Sequence, residues 1–394
     1  MKVAVVGANV AGSYFAHLLA RPGIQVDLFD PRAPWHKPCG GGITRKAVAE
    51  FDLLTTAAAG AESTTSFHLT APSGTDVTIT TEEPLYLLAR IDLSRLLLGM
   101  AADHGAALHR ERVRGLARDR HGRWSLITHA GEYSGYDYLV GADGAASTVR
   151  RSVDRPFARE DLILAVDYHL TATDLTPHVA LKFLGGGMGY IWFFAGRSYG
   201  SLGIGAPAAR ARSEHLEKVL RRFVGEQYPM LNFAGVPRSQ WVIPFHREGF
   251  HDRYRIQGPS WSLLGDAAGL ADPMTGEGIY YALKSASLLA ESLVQGRPEG
   301  YPAAVDSQIR PELNKAYGIT RDYFSKRFLN LVIGFARRSP SLSAVLGEYL
   351  TGTASYRVAR KKLQARSWAI LWEAIRPRRG LGREVEEGVR KNAP

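Results

Sequence analysis

The sequence is poor in cysteine and in long apolar runs. Cys39 is the one thiol among 394 residues, which excludes a disulfide within the chain and is typical of a reducing compartment. No run reaches 18 apolar residues, so we expect no membrane-spanning helix. Residues 2–6 lead directly into a glycine turn and not into the apolar stretch of a signal peptide. These absences predict a cytoplasmic protein.

Motifs of several other classes are also missing. The histidines show no metal-ligand spacing, and His246 and His251 lack partner ligands, so we expect no metal site. The chain has neither a Gly-x-x-x-x-Gly-Lys phosphate loop nor a Gly-x-Ser-x-Gly nucleophile elbow. The arginines between Arg110 and Arg123 alternate with apolar residues, as in solvated hairpin strands. Because no nucleic-acid motif accompanies them, we expect no nucleic-acid partner.

Acidic residues are fewer than basic ones. Asp and Glu number 38 against 49 Lys and Arg, which gives a formal net charge of +11. This excess of positive charge is typical of a protein with an anionic partner, such as a phosphate-bearing cofactor or an acidic lipid surface. It is equally consistent with a charge that only keeps the protein soluble. Hydrophobic residues make up 45% and charged residues 22%, as in an ordinary globular protein, and the length allows two domains.

The first motif that is present follows an apolar strand at the N terminus. Gly7 ends this strand, Gly12 opens a helical stretch, and a second apolar strand ends on Asp30. The two glycines supply the tight turn and the close helix packing that a dinucleotide site needs, although Asn9 stands where a second glycine is usual. A carboxylate at the position of Asp30 accepts hydrogen bonds from a ribose. The unit predicts dinucleotide binding.

Two later Gly-Asp segments distinguish FAD from NAD. One is the Gly-Ala-Asp-Gly turn that contains Asp143, and the other is Gly265-Asp266, which also follows a short strand. A carboxylate there reaches the ribityl hydroxyls of a flavin, a group that nicotinamide dinucleotides lack. A helix beginning near Gly276 would direct its N-terminal amides towards the flavin ring. The sequence therefore predicts FAD as the cofactor.

The three motifs together resemble those of the flavoprotein superfamily that includes p-hydroxybenzoate hydroxylase. Within it, residues 37–43 (KPCGGGI) and 273–279 (PMTGEGI) are similar to segments of the geranylgeranyl reductase family. So is the aromatic strand at 190–194 (YIWFF), where Ala195 replaces the proline of the family pattern. The resemblance covers about residues 1–300. That family uses FAD to reduce isoprenoid double bonds in ether lipids, chlorophyll precursors or menaquinone.

The resemblance also implies which residues form the site. The FAD contacts that it implies are Ala11, Asp30, Cys39, Gly40, Gly42, Arg90, Val113, Asp266, Gly278 and Ile279. The lipid-lining residues are Tyr190, Trp192 and Phe194, which alternate and therefore share one face of a strand. The same face would also suit an ordinary core between a sheet and helices.

Two residues are candidates for acid–base chemistry. Cys39 lies between a proline and three glycines, in a loop with too little side chain to be a packing element. We expect it beside the flavin, as a contact or a proton donor, although a lone cysteine is often only a small buried hydrophobe. Glu277 is the second candidate, and its alternative role is that of a carboxylate partner for the helix dipole.

The patterns predict an α/β fold in which a Rossmann-like domain is interleaved with a mixed-sheet domain. The FAD-binding domain is assigned to 1–52, 90–155 and 256–300, the substrate domain to 53–89 and 156–255, a helical region to 301–377 and a tail to 378–394. Between Arg357 and Arg376, apolar residues recur at helical spacing among basic ones. This helix, with Trp368 and Trp372, fits either docking on an anionic membrane or a lid on the substrate domain.

The expected activity follows from the resemblance. It implies an FAD-dependent reductase of isoprenoid C=C bonds, on the geranylgeranyl chain of a lipid, a diphosphate or a quinone, with NAD(P)H or another reductant as electron donor. The alternative is a flavin-dependent monooxygenase or halogenase of secondary metabolism. The expected location is cytoplasmic, with peripheral membrane binding through the C-terminal helix. The sequence does not determine the particular isoprenoid or the oligomeric state.

Overall fold

The computed structural model describes residues 1–171, 173, 175–185, 189–323 and 325–375, without the side chains of 322 and 323. The predicted tail, 378–394, lies outside these residues, as do Arg376 and residue 377. The strands are β1 (Lys2–Val6), β2 (Gln25–Phe29), β3 (Gly42–Ile43), β4 (Glu62–Thr70), β5 (Asp76–Leu87), β6 (Ala107–His109), β7 (Gly115–Arg118), β8 (Trp124–Ile127), β9 (Glu132–Tyr136), β10 (Tyr138–Gly141), β11 (Leu162–Leu170), β12 (His178–Phe183), β13 (Tyr190–Ala195), β14 (Gly200–Pro207), β15 (Arg238–Pro244), β16 (Gln257–Gly258) and β17 (Trp261–Leu263).

The helices follow the same order along the chain. They are α1 (Val10–Leu19), α2 (Arg45–Glu50), α3 (Asp52–Ala59), α4 (Arg90–Asp103), α5 (Thr148–Val153), α6 (Ser213–Gln227), α7 (Phe250–Arg253), α8 (Ile279–Val294), α9 (Gly300–Gln308), α10 (Arg310–Tyr323), α11 (Lys326–Ala336), α12 (Pro340–Leu350), α13 (Tyr356–Ala365) and α14 (Ser367–Ile375). Short 3₁₀ turns lie at Arg159–Asp161 and Gly265–Ala268.

A six-stranded sheet carries the N-terminal βαβ unit. Its order is β16-β17-β10-β1-β2-β6, and every neighbouring pair is parallel except β16 with β17. The helices α1, α4 and α8 pack together, and they share one buried core with β1, β2 and β10. Burial explains why β1 is a continuous apolar run, since both faces of a parallel sheet are covered. The carboxyl ends of β1, β2 and β10 therefore meet at one edge.

The second sheet has eight strands in the order β15-β11-β14-β13-β12-β4-β5-β3. Its pairs are antiparallel except β12 with β4, so it is a mixed sheet. Helix α6 packs on β11 and β14, whereas α11 and α12 pack on β5. Strands β7, β8 and β9 form a small separate antiparallel sheet. The predicted α/β class, with a Rossmann-like part, a mixed sheet and a helical C terminus, is confirmed.

The two sheets draw their strands almost entirely from the segments that the sequence assigned to two domains. The exception is β3, which lies within 1–52 and yet pairs with β5 of the mixed sheet. This pairing connects the segment around Cys39 to the second sheet. The domain boundaries themselves remain a prediction.

The C-terminal helix predicted from Arg357 to Arg376 is two helices in the described residues. Helix α13 ends at Ala365 and α14 starts at Ser367, because the two pack on different ends of α12. Lys362 of α13 binds Glu348 near the end of α12, with Nζ–Oε distances of 2.6 and 2.7 Å. Glu373 of α14 instead accepts hydrogen bonds from Ser339 and Ser341, at the start of α12.

Candidate active site

The turn after β1 has the shape that a dinucleotide site requires. Gly7 has a φ of +100°, and a Cβ added there would lie 2.4 Å from the carbonyl oxygen of Ala142. A Cβ on Gly12 would lie 1.9 Å from the Gly7 oxygen. Only glycine fits at these two positions. The turn therefore brings the start of α1 against the strand end, where a pyrophosphate can approach backbone amides.

Asn9 has two functions in this turn. Its Oδ1 accepts a hydrogen bond from the Val10 amide at 2.9 Å and so caps α1, which begins two residues before the start predicted from Gly12. The same oxygen accepts from Nη2 of the buried Arg90 at 2.5 Å. The residue that replaces the usual glycine thus fixes the arginine that opens α4 at the edge of the cleft.

Asp30 and Asp143 both lie at strand ends and bind backbone amides. Asp30 accepts hydrogen bonds from the amides of Ala8 at 3.1 Å and Arg32 at 2.9 Å, so it holds the turn after β1. Asp143 is directed into the first turn of α5, where it accepts from the amide of Thr148 at 2.6 Å. Burial raises the pKa of the Asp143 carboxyl. Its contact with FAD remains a prediction.

The second Gly-Asp segment faces a lysine. Asp266 Oδ2 is 2.5 Å from Nζ of Lys37, and both side chains are largely buried. A Cβ on Gly278 would lie 3.2 Å from the other Asp266 oxygen, so the start of α8 approaches this carboxylate closely. Helix α8 begins at Ile279, three residues beyond the predicted Gly276, whose φ is +73°. Lys37 belongs to the segment 37–43 that resembles the family, but its ion pair with Asp266 was not predicted.

Polar atoms that the protein leaves unpaired test whether this cleft fits FAD. Among the described residues, buried nitrogens without a hydrogen-bond partner in the protein include Asn9 Nδ2, Arg90 Nε, Trp35 Nε1, His36 Nδ1 and Trp241 Nε1. Buried donors of this kind are costly unless a ligand or water satisfies them. Four of them form two close pairs, since Arg90 binds Asn9 and the Trp35 and Trp241 rings lie 5.2 Å apart. The donor set fits a cofactor rich in phosphate, hydroxyl and carbonyl oxygens.

Two implied FAD contacts are buried hydrophobic residues. Ala11 lies on α1 opposite Gly265, with 3.5 Å between the alanine Cβ and an added glycine Cβ. Val113 is buried in the same core. Their contact with the cofactor remains a prediction.

A cavity of about 840 Å³ adjoins the cleft. It brings together the predicted residues Cys39, Gly40, Gly42, Tyr190, Trp192, Phe194, Glu277, Gly278 and Ile279. Its remaining lining comes partly from the mixed sheet and partly from the end of α12 and the start of α13. The size is that of a pocket for a small organic molecule. The end of α12 and the start of α13 therefore form part of the cavity wall beside the mixed sheet.

The loop that holds Cys39 packs directly on the aromatic strand. Added Cβ atoms on Gly40 and Gly42 would lie 2.5 and 2.9 Å from the Phe194 ring, so larger residues would push the loop away. The Cys39 carbonyl accepts from the Tyr199 hydroxyl at 3.2 Å. Cys39 is half-buried and lines the cavity, and its Sγ accepts a hydrogen bond from the Gly41 amide at 3.4 Å. The small residues thus allow the loop to lie directly on the aromatic strand that lines the cavity.

A buried carboxylate beneath this loop was not predicted. Asp167 Oδ2 accepts from the Cys39 amide at 3.1 Å, and its Oδ1 accepts from Ser201 at 3.0 Å. The Trp192 indole donates in turn to the Ser201 hydroxyl at 3.1 Å. Burial raises the pKa of the Asp167 carboxyl well above its ordinary value. An acid in the middle of the apolar strand β11 (LILAVDYHL) is the signal that could have identified it.

Glu277 belongs to a polar group at the start of α8. Its two carboxylate oxygens accept from the Thr44 hydroxyl and from Nζ of Lys46, each at 2.8 Å. The Lys46 ammonium also lies 4.0 Å from the ring centroid of Tyr280. Glu277 therefore lines the cavity as the partner of a lysine on α2. A role in proton transfer stays a prediction.

Another polar group joins α13 to the segment before α8. Tyr356 of α13 donates to the buried carboxylate of Asp272, with both oxygens at 2.9 Å, and its hydroxyl also bonds to that of Tyr349. Burial is the main cause that raises the pKa of Asp272 and of both tyrosines. The contact between Tyr356 and Asp272 spans 84 residues of sequence, and no local pattern indicated it.

Comparison with known proteins identifies the class. The model of the FAD binding domain family matches residues 1–297. A menaquinone reductase of Mycolicibacterium smegmatis is 29% identical over 91% of this chain and 94% of its own length. A geranylgeranyl diphosphate reductase of Rhodobacter capsulatus is 30% identical over 76% of each chain. The chain belongs to the FAD binding domain family and, within it, to the geranylgeranyl reductases, as predicted; it is an FAD-dependent oxidoreductase.

A solved structure shares the fold. A geranylgeranyl bacteriochlorophyll reductase-like protein of Thermoplasma acidophilum superimposes with a TM-score of 0.72 over 92% of this chain and 98% of its own, at 19% identity. A flavin-dependent brominase superimposes with a TM-score of 0.65 at 18% identity. At such identities the two comparisons bear on the architecture alone.

Proposed function

We propose that this protein uses FAD to reduce C=C double bonds of an isoprenoid chain. The observation that carries the proposal is the cavity, which has an apolar wall and meets the Cys39 loop and the start of α8. That wall is formed by side chains from the mixed sheet and α12: Phe67, Leu69, Leu85, Val179, Leu181, Leu346 and Leu350. A polyprenyl chain has no polar groups, so it suits a wall of this kind. The reductases named among the relatives support the same activity.

The protein's contribution to such a reaction is to hold the alkene and to exclude water. Reduced FAD, when bound, supplies a hydride. Asn9, Arg90 and Asp266 are the residues that would hold the cofactor, since they lie along the cleft. Tyr190, Trp192 and Phe194 would orient the chain. The Cys39 thiol would donate a proton to the carbon next to the one that receives the hydride.

Electron supply and location complete the proposal. The electrons come from NAD(P)H or another reductant, and the protein binds peripherally to membranes that hold its lipid substrate. No helix of the described residues is long and apolar enough to cross a bilayer. Helix α14 nevertheless exposes Trp368, at 84%, and Ile375, at 74%, next to the basic helix α13. Exposed tryptophan beside basic residues is typical of interfacial helices.

The test is the mass of the product after anaerobic turnover. The full-length protein with FAD is reduced by dithionite and mixed with a geranylgeranyl lipid without oxygen. We expect flavin reoxidation and a product heavier by two hydrogens. The same mixture is then exposed to air as a second arm. A product that appears only in air and has gained oxygen would support the monooxygenase alternative, and an unchanged lipid in both arms would contradict catalysis on isoprenoids.

A further inference from the structure

The charged residues that line the cavity are mostly acidic, although the chain as a whole has a net charge of +11. Among the described lining residues, the carboxylates are Glu50, Asp272, Glu277 and Glu312, and the cations are Arg45 and Lys46. The carboxylates thus outnumber the cations by two to one. The basic residues that produce the net charge of the protein lie mostly elsewhere.

The two lining cations are already paired with carboxylates. Lys46 Nζ lies 2.8 Å from Glu277 Oε2, and Arg45 Nε lies 3.4 Å from Glu83 Oε2. The two lysines bound to the other lining carboxylates are paired as well, since Lys284 binds Glu50 and Lys315 binds Glu312, each at 2.6 Å. A phosphate bound by a protein needs cations or amides that it does not share with a carboxylate. Each of these cations would have to give up its carboxylate first.

Helix N termini are the other usual anion-binding groups. Helix α13 begins at the cavity, but the Tyr356 amide in its first turn donates to Glu312 Oε2 at 3.3 Å. Helix α8 also begins there, next to the carboxylates of Glu277 and Asp266. A phosphate group at either helix end would therefore meet a carboxylate at short range. A phosphate and a carboxylate at such short range would repel each other strongly, because both are negative and the site is partly buried.

We infer that the cavity takes an isoprenoid whose head group is uncharged, such as a prenyl quinone or a prenyl alcohol, and not an isoprenyl diphosphate. The inference rests on the proposed function, and it narrows the substrate class of the same cavity. The polar wall remains useful to such a substrate. Hydroxyls of Thr44 and Tyr280 line it, and because each donates its proton to a carboxylate, its oxygen can still accept a hydrogen bond from a hydroxyl head group without binding a charge.

The test compares two ligands with the same tail, geranylgeraniol and geranylgeranyl diphosphate. Dithionite-reduced holoprotein is mixed with each ligand without oxygen, and flavin reoxidation and product mass are followed. In parallel, tryptophan fluorescence of the oxidised holoprotein reports binding without turnover. We expect the alcohol to bind and react at least about tenfold better than the diphosphate, because the cations at the cavity are already bound to carboxylates and a diphosphate would have to displace them.

A matched pair of variants assigns the preference to the lining. Glu312→Gln removes one negative charge from the cavity and frees Lys315, so it should shift the ratio towards the diphosphate by about threefold or more. Glu291→Gln removes an exposed charge on α8 outside the cavity, and the ratio should not change. A diphosphate that binds as well as the alcohol, or a ratio that Glu312→Gln leaves unchanged, would overturn the inference. Binding of the alcohol without flavin reoxidation would contradict the proposed function and leave the inference standing.

Discussion

The cofactor cleft and the substrate cavity differ in how their polar atoms are partnered. In the cleft, buried nitrogens such as Arg90 Nε and Trp241 Nε1 have no partner in the protein. In the cavity, Glu277 is bonded to Thr44 and Lys46, and Asp272 is bonded to Tyr356. A region that leaves donors free is prepared for a polar ligand, and one whose polar groups satisfy each other is prepared for an apolar chain. A substitution in the cleft should therefore change the binding of FAD only, and a substitution in the cavity should change the binding of the substrate only.

The largest effect is expected at Cys39, where the two regions meet. Cys39→Ala should keep bound FAD and its reduction by dithionite, yet slow alkene reduction about 10²–10⁴-fold, because general acid catalysis has that size. Cys39→Ser should recover little, since a hydroxyl is a far weaker acid than a thiol. The measurement is single-turnover flavin reoxidation by the isoprenoid without oxygen. Turnover of the alanine variant at the wild-type rate would leave Cys39 as a spacing residue.

Asp266 tests whether the cofactor cleft binds FAD through this carboxylate. Asp266→Ala should weaken FAD binding about tenfold to hundredfold, since a charge-assisted hydrogen bond contributes roughly 1.5–3 kcal/mol. Flavin absorbance per protein after gel filtration measures the loss. The variant also leaves Lys37 without its carboxylate, so Lys37→Met serves as the control for the ion pair and should retain more FAD. Glu50→Gln, on the cavity side, should retain all of it. Equal FAD content in Asp266→Ala and wild type would refute the assignment.

Acid should weaken the turn that carries Asp266. His246 is buried, and its Nε2 lies 2.6 Å from the Gly269 carbonyl oxygen at the end of this turn. Burial, with a smaller contribution from Arg310, lowers the pKa of His246 to about 4. The His246 ring also faces His251, and burial lowers the pKa of His251 to about 3. The charge of Asp161 acts on His246 in the opposite direction and raises its pKa.

The sign of the pH effect follows from this shift. Between the folded pKa and the ordinary value near 6.5, the unfolded chain binds more protons, so stability falls as the pH drops through this range. His246 alone should remove about 2 kcal/mol of the free energy of unfolding between pH 7.5 and 5. Urea titration at the two pH values measures this, and His246→Gln, which keeps a donor for Gly269, should show a smaller difference. An equal difference in both proteins would exclude His246 as the cause.

Local sequence patterns predicted the elements that depend on short-range rules. The turn at Gly7 and Gly12 was predictable because glycine alone fits there, and the alternation of Tyr190, Trp192 and Phe194 placed three aromatics along one cavity. The starts of α1 and α8 were missed by two or three residues. Asn9 caps the first helix, and the turn around Gly276 delays the second.

The rest of the candidate site depends on contacts between distant segments. Asp167 reaches the Cys39 amide across 128 residues, and Tyr356 reaches Asp272 across 84. Register within a mixed sheet and packing of the C-terminal helices determine these contacts, and neither leaves a periodic signal in the sequence. The break between α13 and α14 also depends on contacts between distant segments, because the two helices pack on different ends of α12.

The smallest effect is expected on binding to the membrane, from which the substrate would enter the cavity. The protein should sediment with vesicles that contain anionic lipid, and salt should release it. Salt acts because screening limits the range of surface charges to about 8 Å at physiological ionic strength. Arg360, exposed on α13, should contribute about 1 kcal/mol, so Arg360→Gln should reduce binding by about fivefold or less. Arg120→Gln removes a charge from the exposed loop between β7 and β8 and should change nothing if α13 faces the lipid. Equal losses in the two variants would indicate attraction by overall charge, and equal binding to neutral vesicles would indicate that Trp368 and Ile375 of α14 act without the basic residues.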